Sequence, residues 1–317
     1  MAVYKKILLL FLFTYTAFRG NCLQKDSLIQ FNMYDDVKIT IDLPANYYSL
    51  RAKETMVIFY ALPNGNTTEQ TMGKKVEPGI DWHFNIQNIK AQTDFIRNEL
   101  KNKNIIVVYL ENNFRSWPLW KSKHPGYIPE VQHIVDTLYQ KFATAKTTIC
   151  LNGHSGGGRF IFSFLDGVKN IPAYISRIVF LDSDYGYETH YGRQINEWLK
   201  ANKHASLQVF AYEDSLVELN GKRIVSDTGG TWYRSHLMLK DLSKFYKFKM
   251  TENDSLVIYK SLNNQIGFYL KPNPEKKILH TTQVDLNGFI HSILAGTKRE
   301  SVNYKYYSKR AYENFIK

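Results

Sequence analysis

The six residues Gly153-His154-Ser155-Gly156-Gly157-Gly158 constrain what this chain can fold into more than any other stretch. They follow a β-prone apolar run, Thr147-Thr148-Ile149-Cys150-Leu151, and lead directly into the helix-like run Arg159-Phe160-Ile161-Phe162-Ser163-Phe164-Leu165. A strand that passes at once into a helix must turn sharply, and the residue at the tip is held at a strained φ. Its neighbours then need to lack side chains, because strand and helix approach each other closely around it. The glycines flanking Ser155 supply that room.

The rest of the chain fits this unit into a larger pattern. Ser27-Leu28-Ile29-Gln30-Phe31 and Val37-Lys38-Ile39-Thr40-Ile41-Asp42-Leu43 read as a hairpin turning at Tyr34-Asp35-Asp36. Met56 to Leu62 and Asn104 to Leu110 are nearly continuous apolar runs, the signature of strands covered on both faces. Between them a helix is expected around Asn85 to Leu100, and Val131, Ile134, Val135 and Leu138 mark another, with Pro129 in its first turn. Ile178 to Leu181 and Leu207 to Tyr212 are further strands, separated by a helix around Ile195 to Leu199. Residues 215 to 277 form an irregular insertion with a hairpin turn at Leu219-Asn220-Gly221-Lys222, a helix over Tyr233 to Phe245 and β structure over Leu256 to Leu270. Ile278 to Val284 is expected to be the last strand of the sheet. Strands alternating with amphipathic helices predict an α/β fold, a mostly parallel central sheet with helices on both faces.

The chain has 317 residues and 44% hydrophobic content, enough for one catalytic domain over residues 23 to 317. Its first 22 residues carry Lys5-Lys6, then an apolar stretch from Ile7 to Phe13 too short to span a bilayer, and read as a secretory signal peptide. A secreted or periplasmic protein is expected. A membrane anchor would follow only from lipidation of Cys22, and Arg19 and Asn21 ahead of it suit that poorly. Cys150 then has no partner, which excludes a disulfide scaffold, and its place in the strand before Ser155 suits a buried structural thiol. The net charge is +12, but the lysines are scattered and no nucleic-acid-binding signature accompanies them, so a solvated basic surface is expected and no nucleic acid.

Strand, Gly153-His154-Ser155-Gly156-Gly157 and helix together resemble the α/β-hydrolase superfamily, in which G-x-S-x-G is the nucleophile elbow. The likeness extends from about Met56 to Leu294 and implies an exported, bacterial-type esterase or peptidase acting through a Ser155 acyl-enzyme without a cofactor. A serine hydroxyl is a weak nucleophile and needs an adjacent base. The family places that histidine after the last strand, where His280 and His291 stand. His291, following the turn-forming Asn287-Gly288 pair, is preferred over His280, which falls inside the expected strand. The histidine in turn needs an acid. Asp214, after the Leu207 strand, is the preferred acid; Asp182, after the Ile178 strand, is the alternative, with Asp184 beside it. No histidine cluster with ligand spacing accompanies these acids, so no metal is expected. The oxyanion would be received by the N–H of Gly156 and by a second donor in the turn after the Met56 strand, Leu62, Asn64 or Gly65, Pro63 having no N–H.

Substrate contacts are expected at the C-terminal edge of the sheet. There Arg115 suits an anionic group, and Trp117 and Trp120 suit sugar rings or an aromatic acyl group unless they simply anchor their loop. Tyr185 is expected in the same pocket. The substrate expected is a small-molecule or glycan-linked ester. A peptidase of the same fold and a non-catalytic glycan-binding protein on a hydrolase scaffold remain as alternatives, and nothing in the sequence bears on oligomeric state.

Overall fold

A computed structural model describes residues 27–45, 47–50, 53–253 and 255–317. The expected signal peptide, residues 1–22 with Cys22, lies outside the described residues.

In chain order the elements begin with β1 (Ser27–Met33), β2 (Val37–Leu43), β3 (Glu54–Ala61), α1 (Thr68–Met72), α2 (Ile89–Glu99) and β4 (Lys103–Asn112). The central part comprises α3 (Trp117–Lys123), α4 (Tyr127–Phe142), β5 (Thr147–His154), α5 (Gly158–Gly167), β6 (Ile175–Leu181), α6 (Thr189–Ala201) and β7 (Ser206–Tyr212). The chain continues through β8 (Glu218–Leu219), β9 (Lys222–Arg223), α7 (Thr231–Leu242), β10 (Lys249–Glu252), β11 (Val257–Ser261), β12 (Ile266–Lys271), α8 (Thr282–Asp285) and α9 (Gly288–Leu294).

Ten strands form one sheet in the order β1-β2-β4-β3-β5-β6-β7-β12-β11-β10. The six from β4 to β12 run parallel to their neighbours. The β1–β2 hairpin joins one side antiparallel through β2 and β4, and β11 and β10 extend the other side antiparallel. The chain leaves β3 in one direction to form β4, then returns past β3 to form β5. Strand order therefore reverses between β3 and β5, and at such a point the loops above the sheet diverge and leave a crevice. The turn after β3 and Ser155 both stand there.

Alternation along the strands divides the core in two. Val57, Phe59 and Ala61 of β3 pack with Trp117, Val131, Ile134, Phe160, Ile195 and Met238 from α3 to α7 on one face. Ile58, Tyr60 and Leu62 pack with Ile89 and Ile96 of α2, Phe289 and Ile290 of α9 and the C-terminal tyrosines Tyr304, Tyr306 and Tyr312 on the other. On α4 the spaced residues Val131, Ile134, Val135 and Leu138 are all fully buried, each contributing about 1.5–3 kcal/mol.

One expected strand is absent. The last strand parallel to its neighbour is β12, in register with β7 from Ile266 opposite Leu207 to Lys271 opposite Tyr212, and its far side is occupied by β11. Ile278–His280 consequently has no strand to pair with, and the chain there is a loop entering α8. The insertion, by contrast, contains the hairpin expected at Asn220-Gly221, both with positive φ (53° and 73°).

Candidate active site

Ser155 follows β5 at φ 55° and opens a short 3-10 turn, Ser155–Gly157, that runs into α5. Each following glycine is required by backbone or side chain packed against it. A Cβ on Gly157 would lie 2.1 Å from the carbonyl oxygen of Ala61, and one on Gly158 would lie 1.8 Å from that of Ser183. At Gly156 it would meet Asn64 Oδ1 at 1.9 Å. The ends of β3, β5 and β6 thus converge on the turn, and Ser183 Oγ closes it by donating to the Gly153 carbonyl at 2.8 Å.

The loop from β12 brings His280 to the same place. It is braced at its base, where the side chain of Asn273 bonds to the Glu213 and Lys277 carbonyls and accepts from the Lys277 N–H. Nδ1 of His280 is hydrogen-bonded to Oδ2 of Asp182, a fully buried carboxylate at φ 47° just beyond β6. Oδ1 of Asp182 accepts from the hydroxyl of Thr231, the first residue of α7. His154, buried beneath, donates through Nε2 to the His280 carbonyl at 3.2 Å, and its ring lies 4.5 Å from that of His280. Burial, with His280 adding to it, holds His154 well below the ordinary imidazole range, so it stays neutral.

Ser155 and His280 line one cavity of about 410 Å³, together with Asn64, Gly156, Arg159, Tyr185, Tyr212 and the apolar residues Ile224, Val225 and Ile278. Larger hollows of about 600 and 770 Å³ lie at the opposite edge of the sheet around Lys103 and Arg177; neither contains Ser155 or His280.

No protein-family model matches this sequence, and no curated protein matches it either. Solved structures do. The feruloyl esterase module from Clostridium thermocellum, a serine-to-alanine mutant complexed with sinapinate, aligns over 90% of this chain and 92% of its own at 12% identity and TM-score 0.50. The chain has the α/β-hydrolase fold. The siderophore hydrolase EstA from Aspergillus nidulans (10% identity, 90% and 99% coverage, TM-score 0.42) and an IroE-like serine hydrolase from Shewanella oneidensis (14%, 84% and 78%, 0.44) are also similar.

On the α/β-hydrolase fold, several residues lie elsewhere than the sequence led us to expect. His291 is not at the elbow. The Asn287-Gly288 pair does turn the chain, but into α9, which packs beneath the sheet. There the His291 ring stacks on Tyr306 at 5.1 Å, Nδ1 meets Tyr304 Oη at 2.9 Å, and burial pushes its pKa down to about 3. Asp214, the preferred acid, faces α7 instead of a histidine: its carboxylate accepts from the N–H groups of Thr231 (2.8 Å) and Trp232 (3.4 Å), two otherwise orphan donors of the helix start. Burial and the neighbouring Asp182 push it up to about 6. Asp184, also buried, accepts from Ser235 Oγ and is raised well above the carboxylate range.

Of the expected oxyanion donors after β3, the N–H of Leu62 is engaged by the Leu110 carbonyl at 3.2 Å and that of Gly65 by Arg115 at 2.8 Å. Asn64 alone of the three lines the cavity. Trp117 and Trp120 are not substrate platforms: they are 1% and 0% exposed, pack against each other at 5.2 Å, and Trp117 meets Phe160 edge-on in the core. Their stretch is the helix α3, capped by Ser116, which accepts from the Leu119 N–H, with proline in its first turn. Arg115 is exposed and outside the cavity wall, whereas Tyr185 is in it. The sequence reading missed Arg159, Tyr212 and Thr231; the Ser-Trp-Pro start of α3, with tryptophans three apart, was the legible sign that those rings face inward.

Cys150 is buried, and its thiol is pushed up to about 12 by burial. Among the described residues no three His, Cys, Asp or Glu side chains group as metal ligands, and no helix is long and apolar enough to cross a membrane.

Proposed function

We propose that this protein is a serine hydrolase that cleaves carboxylic esters, with Ser155 as nucleophile, His280 as base and Asp182 as acid. The observation that carries the reading is the shared cavity of Ser155 and His280, with His280 Nδ1 held by a fully buried carboxylate. That bond leaves Nε2 of His280 free to take the Ser155 proton during attack on the ester carbonyl and to return it to the departing alcohol. The N–H of Gly156, directly after the nucleophile, and the N–H of Asn64 receive the oxyanion. Water then attacks the Ser155 acyl-enzyme by the same route, and free acid leaves. Asp182 balances the charge of His280 in both steps, and Thr231 fixes the carboxylate.

The substrate is assigned by the cavity wall. Ile224, Val225, Ile278, Tyr185 and Tyr212 offer apolar and aromatic surface to an acyl chain or ring. With both tryptophans in the core, the sugar platform expected of them is lost. The basic-then-apolar start of the chain supports export of the enzyme.

Labelling by a fluorophosphonate probe and turnover of 4-nitrophenyl butyrate test the assignment. Ser155→Ala should lose both, and His280→Ala should lose turnover by about a thousandfold or more. His291→Phe should keep labelling in its folded fraction. A folded wild type that neither labels nor turns over, or a His280→Ala variant that labels at the wild-type rate, would overturn it.

A further inference from the structure

We propose that the ester cleaved here carries an anionic group, a carboxylate or phosphate, received by Arg159; this rests on the serine-hydrolase reading and names its substrate class. Arg159 stands in the first turn of α5, four residues beyond Ser155, and lines the cavity. Among the described residues it is the one lysine or arginine of that wall. Among the described residues no aspartate or glutamate lines the cavity. The phenols of Tyr185 and Tyr212 are raised by burial and by Asp182 and Asp214, and so stay neutral.

What sets the Arg159 guanidinium apart is that it has no partner among the described residues. Among the described residues, the other buried or half-buried arginines all donate to carbonyls or carboxylates. Arg97 bonds Asp42 and the Ile105 carbonyl, Arg177 the Ser292 and Ala295 carbonyls, Arg234 the Tyr187 carbonyl, and Arg310 bonds Asp285 and Asn85. The Arg159 guanidinium, half-buried, has no hydrogen bond or ion pair among the described residues. The carboxylate nearest along its helix, Asp166, is already held by Lys121, Tyr127 and Tyr191.

The guanidinium is also seated. A Cβ at Gly186 would come within 3.0 Å of its Nη1 and 3.1 Å of its Cζ, so the absence of a side chain there makes its place. A planar fork of donors, held beside an apolar wall and partly removed from water, matches the two oxygens of a carboxylate or phosphate. An anion on the substrate would complete the arginine's hydrogen bonds and orient the ester over Ser155.

The test uses the purified full chain and two matched pairs of esters: 4-nitrophenyl butyrate against 4-nitrophenyl hydrogen succinate, and phenyl butyrate against 3-carboxyphenyl butyrate. The first pair places the charge on the acyl side, the second on the alcohol side. We expect the anionic member of one pair to have a kcat/KM at least about tenfold above its neutral partner. Arg159→Ala should lower that anionic-to-neutral ratio by at least about tenfold, and Arg159→Lys should restore part of it. The ratio is the readout because general damage to the site cancels in it. Ratios near unity in both pairs, or a ratio that Arg159→Ala leaves unchanged, would overturn the assignment while the ester-hydrolase reading stands. No turnover of any of the four esters, together with no fluorophosphonate labelling, would overturn both.

Discussion

Replacing Asp182 by asparagine should separate the two carboxylates that compete for the role of acid. On the proposed mechanism His280 becomes an imidazolium in the transition state, and its Nδ1 is hydrogen-bonded to Asp182, which is 0% exposed. Two unit charges about 4 Å apart attract by about 4 kcal/mol at the effective dielectric of about 20 that suits protein sites. Asp182 is wholly buried and the His280 side chain is only 23% exposed, so solvent screens the pair little. Asparagine keeps the shape and can still accept from Nδ1, but the charge is gone. At 1.36 kcal/mol per tenfold, kcat/KM should fall by about a thousandfold. Asp214→Asn is the control. Its carboxylate caps α7 through the Thr231 and Trp232 N–H groups, and an amide oxygen can still accept one of those bonds. Its kcat/KM should stay within about tenfold of wild type. The assay is ester turnover at pH 8 with thermal melts on the same samples. If Asp214→Asn falls as far as Asp182→Asn, or if Asp182→Asn keeps a tenth or more of wild-type activity, the reasoning fails.

Two further outcomes follow from the same geometry. Gly158→Ala would drive a methyl to 1.8 Å from the Ser183 carbonyl and should cost about 3 kcal/mol or more, whereas Gly221→Ala, with φ 73° and nothing within 4 Å, should cost about 1 kcal/mol. Urea midpoints compare them, and a Gly158→Ala protein as stable as wild type would contradict the close packing of the elbow. Asp214 is raised in the fold from 3.8 to about 6, so its contribution to stability is complete below pH 4 and lost as pH rises through about 6. The loss is on the order of 3 kcal/mol. Wild-type unfolding free energy should therefore decline between about pH 4 and 6 more steeply than that of Asp214→Asn, and equal slopes would show that this carboxylate is not the group responsible.

How far the sequence could be read depended on whether the deciding interaction was local. The strand, the turn and the helix around Ser155 are set by neighbours in the chain, and apolar runs such as Met56–Leu62 declare a strand covered on both faces. The identity of base and acid is not local. Ile278-Leu279-His280 is β-prone, yet β11 already occupies the free side of β12, so the stretch is left unpaired and His280 becomes a loop residue above the sheet. Taking it for a strand moved the expected base eleven residues on, to a histidine whose nearest company is tyrosine. The acid was ambiguous for a related reason. The loops after β6 and β7 both carry aspartates, and the start of α7, a helix beyond both, engages one of them as a cap. Arg159 was passed over because nothing in the chain shows that an arginine will lack a partner.

The convergence of three strand ends on three successive glycines also has a bearing on how such a protein can change. Gly156, Gly157 and Gly158 each abut a different segment, the Asn64 turn, the end of β3 and the chain just past β6. A shift in any one of those segments is delivered to the Ser155 hydroxyl with almost no slack. Ile224, Val225 and Ile278 line the cavity from loops outside the elbow. On the proposed function, new substrates should therefore be reached by altering the rim, and a lineage that redraws the rim can keep the ground beneath the serine unaltered.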